Sequence, residues 1–182
     1  MRENPRGFAI WITGLPASGK SVLTAALVKY LSARGVQNVV LESDVMRKVF
    51  SGESHYDEKD RDYFYSSIAF IGRVLADNGI AVIFDATANK RSYRDRARRE
   101  IPRFLEVYVD TPLEVSIQRD PKGIYRRALS GEATNVPGVQ AVYEAPLKPD
   151  TVVHGDRDNP DDAARRIVEV LEARGWLTTR KV

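Results

Sequence analysis

A three-layer α/β fold, with a parallel sheet between two layers of helices, is what this sequence predicts. Three observations lead there. Short apolar runs alternate with longer stretches of helical period, a glycine-rich turn joins the first run to the first helix, and 182 residues suit one domain, taken as 1–182. Composition agrees, since 43% hydrophobic and 29% charged residues exclude a disordered chain. The absence of cysteine excludes disulfide frameworks, thiol nucleophiles and thiolate metal sites.

The elements follow in order. Residues 8–13, 39–41, 81–84, 105–109 and 151–153 are apolar runs rich in β-branched and aromatic side chains, as buried strands are. Residues 21–33 place Val22, Leu23, Ala26, Leu27, Tyr30 and Leu31 on one side and end before Gly35. Residues 57–77 carry Tyr65, Ile68, Ala69, Ile71, Gly72 and Leu75 and stop at Asn78-Gly79; residues 161–173 start after Asn159-Pro160 and stop before Gly175. A basic helix is expected from Lys90 to Arg99, mostly on the surface, with Arg91 or Arg94 as candidates for phosphate contact. Residues 130–149 are rich in Gly, Pro and small side chains without period, too long for an ordinary connection, and read as part of a lid over about 120–149. Ligands of such sheets sit beyond the carboxyl ends of the strands, which singles out 13–21, 42–47, 85–91 and 110–112.

The first of these stretches is Gly14-Leu15-Pro16-Ala17-Ser18-Gly19-Lys20-Ser21, a full G-x-x-x-x-G-K-S phosphate-binding loop between a strand and a helix. Glycines allow backbone N–H groups to converge on phosphate oxygens, and the following helix adds its free N–H groups and positive dipole end. Lys20 would bridge the terminal phosphates, and the Ser21 hydroxyl would complete a Mg²⁺ shell. ATP is favoured over GTP because no N/T-K-x-D signature is present. At the second strand end, Glu42-Ser43-Asp44 is followed by Arg47, one helical turn on. Asp44 could orient an acceptor hydroxyl, take its proton or hold a metal-bound water, and Arg47 could grip an anion; the competing reading of Asp44 is a helix cap.

Beyond these residues the sequence resembles the adenylylsulfate (APS) kinases. The matching blocks are the P-loop, the segment from Leu41 to Arg47, Asp60-Arg61, Asp110-Thr-Pro-Leu-Glu-Val115, Arg119-Asp-Pro-Lys-Gly-Ile-Tyr-Arg-Arg-Ala128, Gly131-Glu132, Gly138 and Tyr143-Glu-Ala-Pro146. The resemblance implies a P-loop kinase fold and transfer of the ATP γ-phosphoryl group to the 3′-hydroxyl of adenylylsulfate, with Mg²⁺. It implies an acceptor-hydroxyl or metal-water role for Asp44, substrate anion contacts for Arg47 and Arg61, a place near the transferred phosphate for Lys122, and flanks of the ATP base for Arg119 and Pro146. Lys20, Asp44 and Lys122 are then catalytic candidates, joined by Asp85 on the ground given below, and Ser21 and Asp44 are the metal candidates.

Departures cluster on the acceptor side. Glu42-Ser43-Asp44 stands for the family's Asp-Gly-Asp, and Phe64 for an Asn that follows Asp-Arg by three residues. Val136 stands for a Phe that stacks on the substrate adenine, leaving Tyr56 as one aromatic face; Val136→Phe should restore the second. Asp85 ends an apolar run where the family has Ile-Ser-Pro, in the manner of the Mg²⁺-supporting acid of other P-loop kinases, with a helix cap as the competing reading. The alternative function is therefore the same donor chemistry on another hydroxylated acceptor, a nucleotide or sugar derivative.

The partner expected is a small anionic molecule, with a homodimer among the open assemblies. A net charge of +3 is too small to argue for nucleic acid, and an Arg-rich helix whose one aromatic is Tyr93 offers no stacking platform. No apolar run approaches the roughly 20 residues that cross a bilayer, and no signal-peptide layout is present, so the expected place is the cytoplasm.

Overall fold

The computed structural model describes residues 7–50 and 57–177. Five strands, β1 (Ala9–Thr13), β2 (Asn38–Glu42), β3 (Ala81–Asp85), β4 (Phe104–Asp110) and β5 (Thr151–His154), form one sheet in the order β2-β3-β1-β4-β5. Every pairing is parallel. Side chains alternate between two cores, as the two-residue period of a strand requires. Ile10, Ile12, Ile83, Leu105, Val107 and Val109 pack under α1 (Lys20–Ala33) and α7 (Pro160–Ala173). Trp11, Val82, Phe84 and Phe104 face α3 (Glu58–Asp77) and α4 (Arg91–Glu100). Three short helices, α2 (Ser43–Phe50), α5 (Leu113–Arg119) and α6 (Ile124–Leu129), lie at the carboxyl ends of the strands or in the lid.

Helix starts match their sequence signals. Asp57 accepts from the Asp60 N–H to cap α3, and Asn159 accepts from Asp161 and Asp162 to cap α7 with Pro160 in its first turn. The predicted strands are all present, most of them one or two residues longer. The basic helix is present too and lies mostly at the surface, but Arg94 is 1% exposed. Its guanidinium pairs with Glu106, itself buried in the middle of β4, at 2.7 Å. Arg98 reaches the same carboxylate at 2.9 Å and also pairs with Asp150. A buried carboxylate of this kind is tolerable because every arm of it is paired.

Candidate active site

The cradle is built by backbone shape. Gly14 (φ 156°) and Gly19 (φ 106°) bend the chain between β1 and α1, and Ala17 sits at φ 58°. A Cβ on Gly14 would lie 2.6 Å from the Val109 carbonyl oxygen, so no other residue fits there. Unlike α3 and α7, α1 has no side-chain cap and no acidic residue in its first turn. Its first N–H groups and dipole are therefore left for an anion. Ser18 is buried, its carbonyl accepting from Thr111 Oγ1 at 2.8 Å. Leu15 and Pro16 are partly buried, and Ser21 is exposed in the first turn of α1.

Lys20 is almost fully buried, and its ammonium donates to the Gly14 and Leu15 carbonyls at 3.1 and 2.8 Å. Burial pushes its pKa down from 10.5 to about 8, with Asp85 and Asp44 opposing the shift and Lys122 adding to it. The native state thus binds fewer protons than the unfolded chain between pH 8 and 10.5, so this group's penalty on folding is full below pH 8 and fades as pH rises through that window. Phosphate oxygens reaching Lys20 would raise its pKa again. Nucleotide binding at pH 8 is therefore expected to take up to about half a proton, falling toward none at pH 6. Calorimetry in two buffers of different ionisation enthalpy measures this, and equal uptake at both pH values would exclude Lys20 as the responding group.

Two carboxylates act on Lys20. Asp85 ends β3, 4% exposed, beside Ile12 in β1 and Glu42 in β2. It is not a helix cap, because α4 starts six residues later with Lys90 at the cap position. Asp44 lies inside the first turn of α2, immediately after β2, and is half exposed. Lys122 crosses from the lid to meet it at 2.5 Å, with Glu42 at 3.9 Å, and this pairing raises the Lys122 pKa. Lys20, Asp44, Asp85 and Lys122, predicted from separate parts of the chain, thus converge at one end of the sheet.

Arg47 and Arg61 are both buried, at 5% and 7% exposure. The Arg47 guanidinium lies over the Phe64 ring at 3.9 Å. Arg61 donates to Asn89 Oδ1 at 2.8 Å and to the Asn135 carbonyl at 2.6 Å. Arg119 is exposed at the end of α5 and donates to the Gly155 carbonyl; Pro146 is partly buried in the returning arm of the lid. Tyr56 lies outside the described residues.

Arg91 and Arg94 are bonded within the protein. Arg94 donates to the Ala88 and Glu144 carbonyls, while Arg91 donates through its backbone N–H to the Glu144 carboxylate and through its side chain to the Ala145 carbonyl. They fasten the lid to the sheet. The ring expected of Val136→Phe meets an obstacle in the position of Val136. It is buried with Tyr125 and Ala128, so a phenyl ring there would overpack the lid's own small core.

Sequence reasoning missed Asn89, Tyr125, Thr111 and Gly155. Asn89 accepts from Arg61, donates to the Val142 carbonyl and, through its own carbonyl, receives the Glu144 N–H at 2.7 Å. Tyr125 is buried and donates to the Pro16 carbonyl, tying the lid to the cradle. A Cβ on Gly155 would lie 2.1 Å from the Ser18 carbonyl oxygen, so glycine is required where the β5–α7 turn touches the P-loop. Asn89 and Thr111 lie in the strand-end stretches, Tyr125 in a matching block and Gly155 directly after an apolar run, but no signal gave any of them a role.

These anchors divide the lid. Residues 142–145 are pinned, whereas residues 129–132, 134 and 135 are exposed. Hydrogen exchange is expected to show the Glu144 amide protected without ligands, and added protection on nucleotide and acceptor binding confined to about 126–136. Uniform exchange across 130–149 would refute that division.

A cradle shaped for polyphosphate, faced by carboxylates and a lid, defines a P-loop phosphotransferase. The model of the adenylylsulphate kinase family matches residues 6–154. The adenylyl-sulfate kinase of Myxococcus xanthus is 40% identical over 94% of this chain and 94% of its own. That of Gloeothece citriformis is 36% identical over 94% of this chain and 98% of its own. The APS kinase of Mycobacterium tuberculosis, solved in complex with AMPPNP and APS, superposes with a TM-score of 0.86 at 33% identity, covering 92% of this chain and 99% of that one. This chain belongs to the adenylylsulphate kinase family. Among the described residues no helix is long and apolar enough to cross a membrane.

Proposed function

We propose that this protein transfers the γ-phosphoryl group of ATP to the 3′-hydroxyl of adenylylsulfate. The observation that carries the reading is the contact of lid residue Lys122 with Asp44, opposite Lys20, which brings donor cradle, acceptor carboxylate and lid to one place. The P-loop N–H groups and Lys20 would hold the β- and γ-phosphates, and Arg119 and Pro146 the base. Arg47 and Arg61 would bind the acceptor's anionic groups, with Tyr56 against its adenine. Asp44 would orient the 3′-hydroxyl and accept its proton as the phosphoryl group leaves ATP. Released from Asp44 by the incoming substrate, Lys122 would stabilise charge on the transferred group, while the lid keeps water from competing.

Mg²⁺ fits this donor set. The ion needs one or two hard oxygens from protein and takes the rest from phosphate and water, which Ser21 with Asp44 or Asp85 can supply. Bound there, it would neutralise charge on the phosphates.

A second acceptor remains open on one observation: Val136 and Phe64 stand where the family has Phe and Asn, and both are packed inward. An ADP-release assay over adenylylsulfate, nucleosides and sugar derivatives separates the readings. Formation of 3′-phosphoadenylylsulfate with kcat/KM above every other acceptor is expected; a better sugar or nucleoside acceptor would replace the assignment.

A further inference from the structure

Phe64 is the site's odd residue, an aromatic where the resemblance calls for an amide, and the structure gives it work to do. It is 1% exposed on α3. Its ring is fixed edge-on between Tyr65, at 5.2 Å and 70°, and Phe50, at 6.4 Å and 73°. Tyr65 is held in turn, stacked on Tyr93 at 4.7 Å, with its hydroxyl accepting from the Ala88 N–H. That N–H belongs to the loop that follows Asp85. The two rings form a corner, and the Arg47 guanidinium lies in it, 3.9 Å from the Phe64 centroid and 5.5 Å from that of Tyr65.

A buried guanidinium on a ring face is attracted by the ring's quadrupole, and the plane of the ring restricts where its N–H groups point. A flexible arginine otherwise loses several rotamers when it binds an anion, which weakens binding. We propose that Phe64 is a positioning residue: its ring presets Arg47 for the anionic group of the acceptor. The proposal rests on the acceptor role given to Arg47 above.

Steady-state kinetics of wild type, Phe64→Leu, Phe64→Tyr, Arg47→Ala and the Phe64→Leu/Arg47→Ala double variant test it, with adenylylsulfate and ATP varied separately. Phe64→Leu is expected to raise KM for adenylylsulfate roughly three- to twelvefold, the size of the rotamer freedom an unheld arginine loses on binding, with KM for ATP and kcat changed less than about twofold. Phe64→Tyr keeps the ring and should remain within about threefold of wild type. In the Arg47→Ala background, Phe64→Leu should add nothing further to KM.

Additive effects of the two substitutions, or equal changes for both substrates, would overturn the positioning role and leave Phe64 as packing only. If Arg47→Ala leaves KM for adenylylsulfate unchanged, the acceptor role of Arg47 fails, and the proposal with it. If wild type turns over another acceptor instead, the same cycle is run on that acceptor, so the two failures stay distinct. Should Phe64→Leu fold poorly, Phe64→Met keeps the volume without the ring. The upfield Nε–H resonance expected of Arg47 in ¹⁵N-arginine protein should then move toward its solvent position, and an unmoved resonance would overturn the stacking.

Discussion

Lys20→Ala is expected to lower phosphoryl transfer by at least about a thousandfold while leaving the protein folded. Lys20 is the cationic side chain inside the cradle, and charge stabilisers of the transferring group are commonly worth 10² to 10⁵ in rate. The fold itself does not need its charge. Burial lowers the pKa from 10.5 to about 8, a cost of roughly 3 kcal/mol on the charged form at neutral pH, offset in part by the bonds to Gly14 and Leu15. The melting temperature without nucleotide should therefore hold or rise in Lys20→Ala, and the stabilisation that ATP gives wild type should shrink. Proton uptake on nucleotide binding at pH 8 should vanish with it. Near wild-type turnover in a folded variant would refute the donor assignment.

The parts of this architecture written in short-range pattern were legible in the sequence. Strands β1 and β3 are uninterrupted apolar runs, and α3 and α7 carry caps at one end and Gly at the other, so their limits fall within two residues of expectation. Helices α5 and α6 have seven and six residues, too few for a period to register, and Asp120-Pro121 separates them. Within the mostly exposed Arg-rich helix the burial of Arg94 was hidden, because composition reports charge and not partners. Glu106, one carboxylate inside the apolar run of β4, was the clue that Arg94 would be buried against it.

The same distinction governs the site. Lys20, Asp44, Asp85 and Lys122 could be named as candidates because each stands in a motif or at a strand end. Asn89 and Tyr125 act through hydrogen bonds to distant segments, those to the Val142 and Pro16 carbonyls spanning 53 and 109 residues, and no local pattern records such contacts. Phe64 was legible as a departure, but its use depends on a ring face meeting Arg47 from another helix.

Asp44→Asn and Asp85→Asn should separate the two carboxylates by what each impairs. Asp44 is half exposed and held by the lid's Lys122, where an acceptor hydroxyl can displace the ammonium and be oriented in its place. Asparagine keeps its shape and loses its charge, so kcat should fall about 10²- to 10⁴-fold with little change in ATP affinity. Exchange of amides near Lys122 should rise, because the pair that anchors it is gone. Asp85 is buried at the tip of β3 and is the largest charge opposing the depression of the Lys20 pKa. Its loss should weaken ATP binding, raise the Mg²⁺ concentration needed for half activity, and shift nucleotide-linked proton uptake to lower pH, because Lys20 titrates earlier without it. Kinetics at varied ATP and Mg²⁺ with calorimetry from pH 6 to pH 9 resolve these outcomes. If Asp44→Asn is harmless while Asp85→Asn removes kcat at saturating ATP and Mg²⁺, the carboxylate that handles the acceptor hydroxyl is Asp85, and Asp44 serves only to hold the lid.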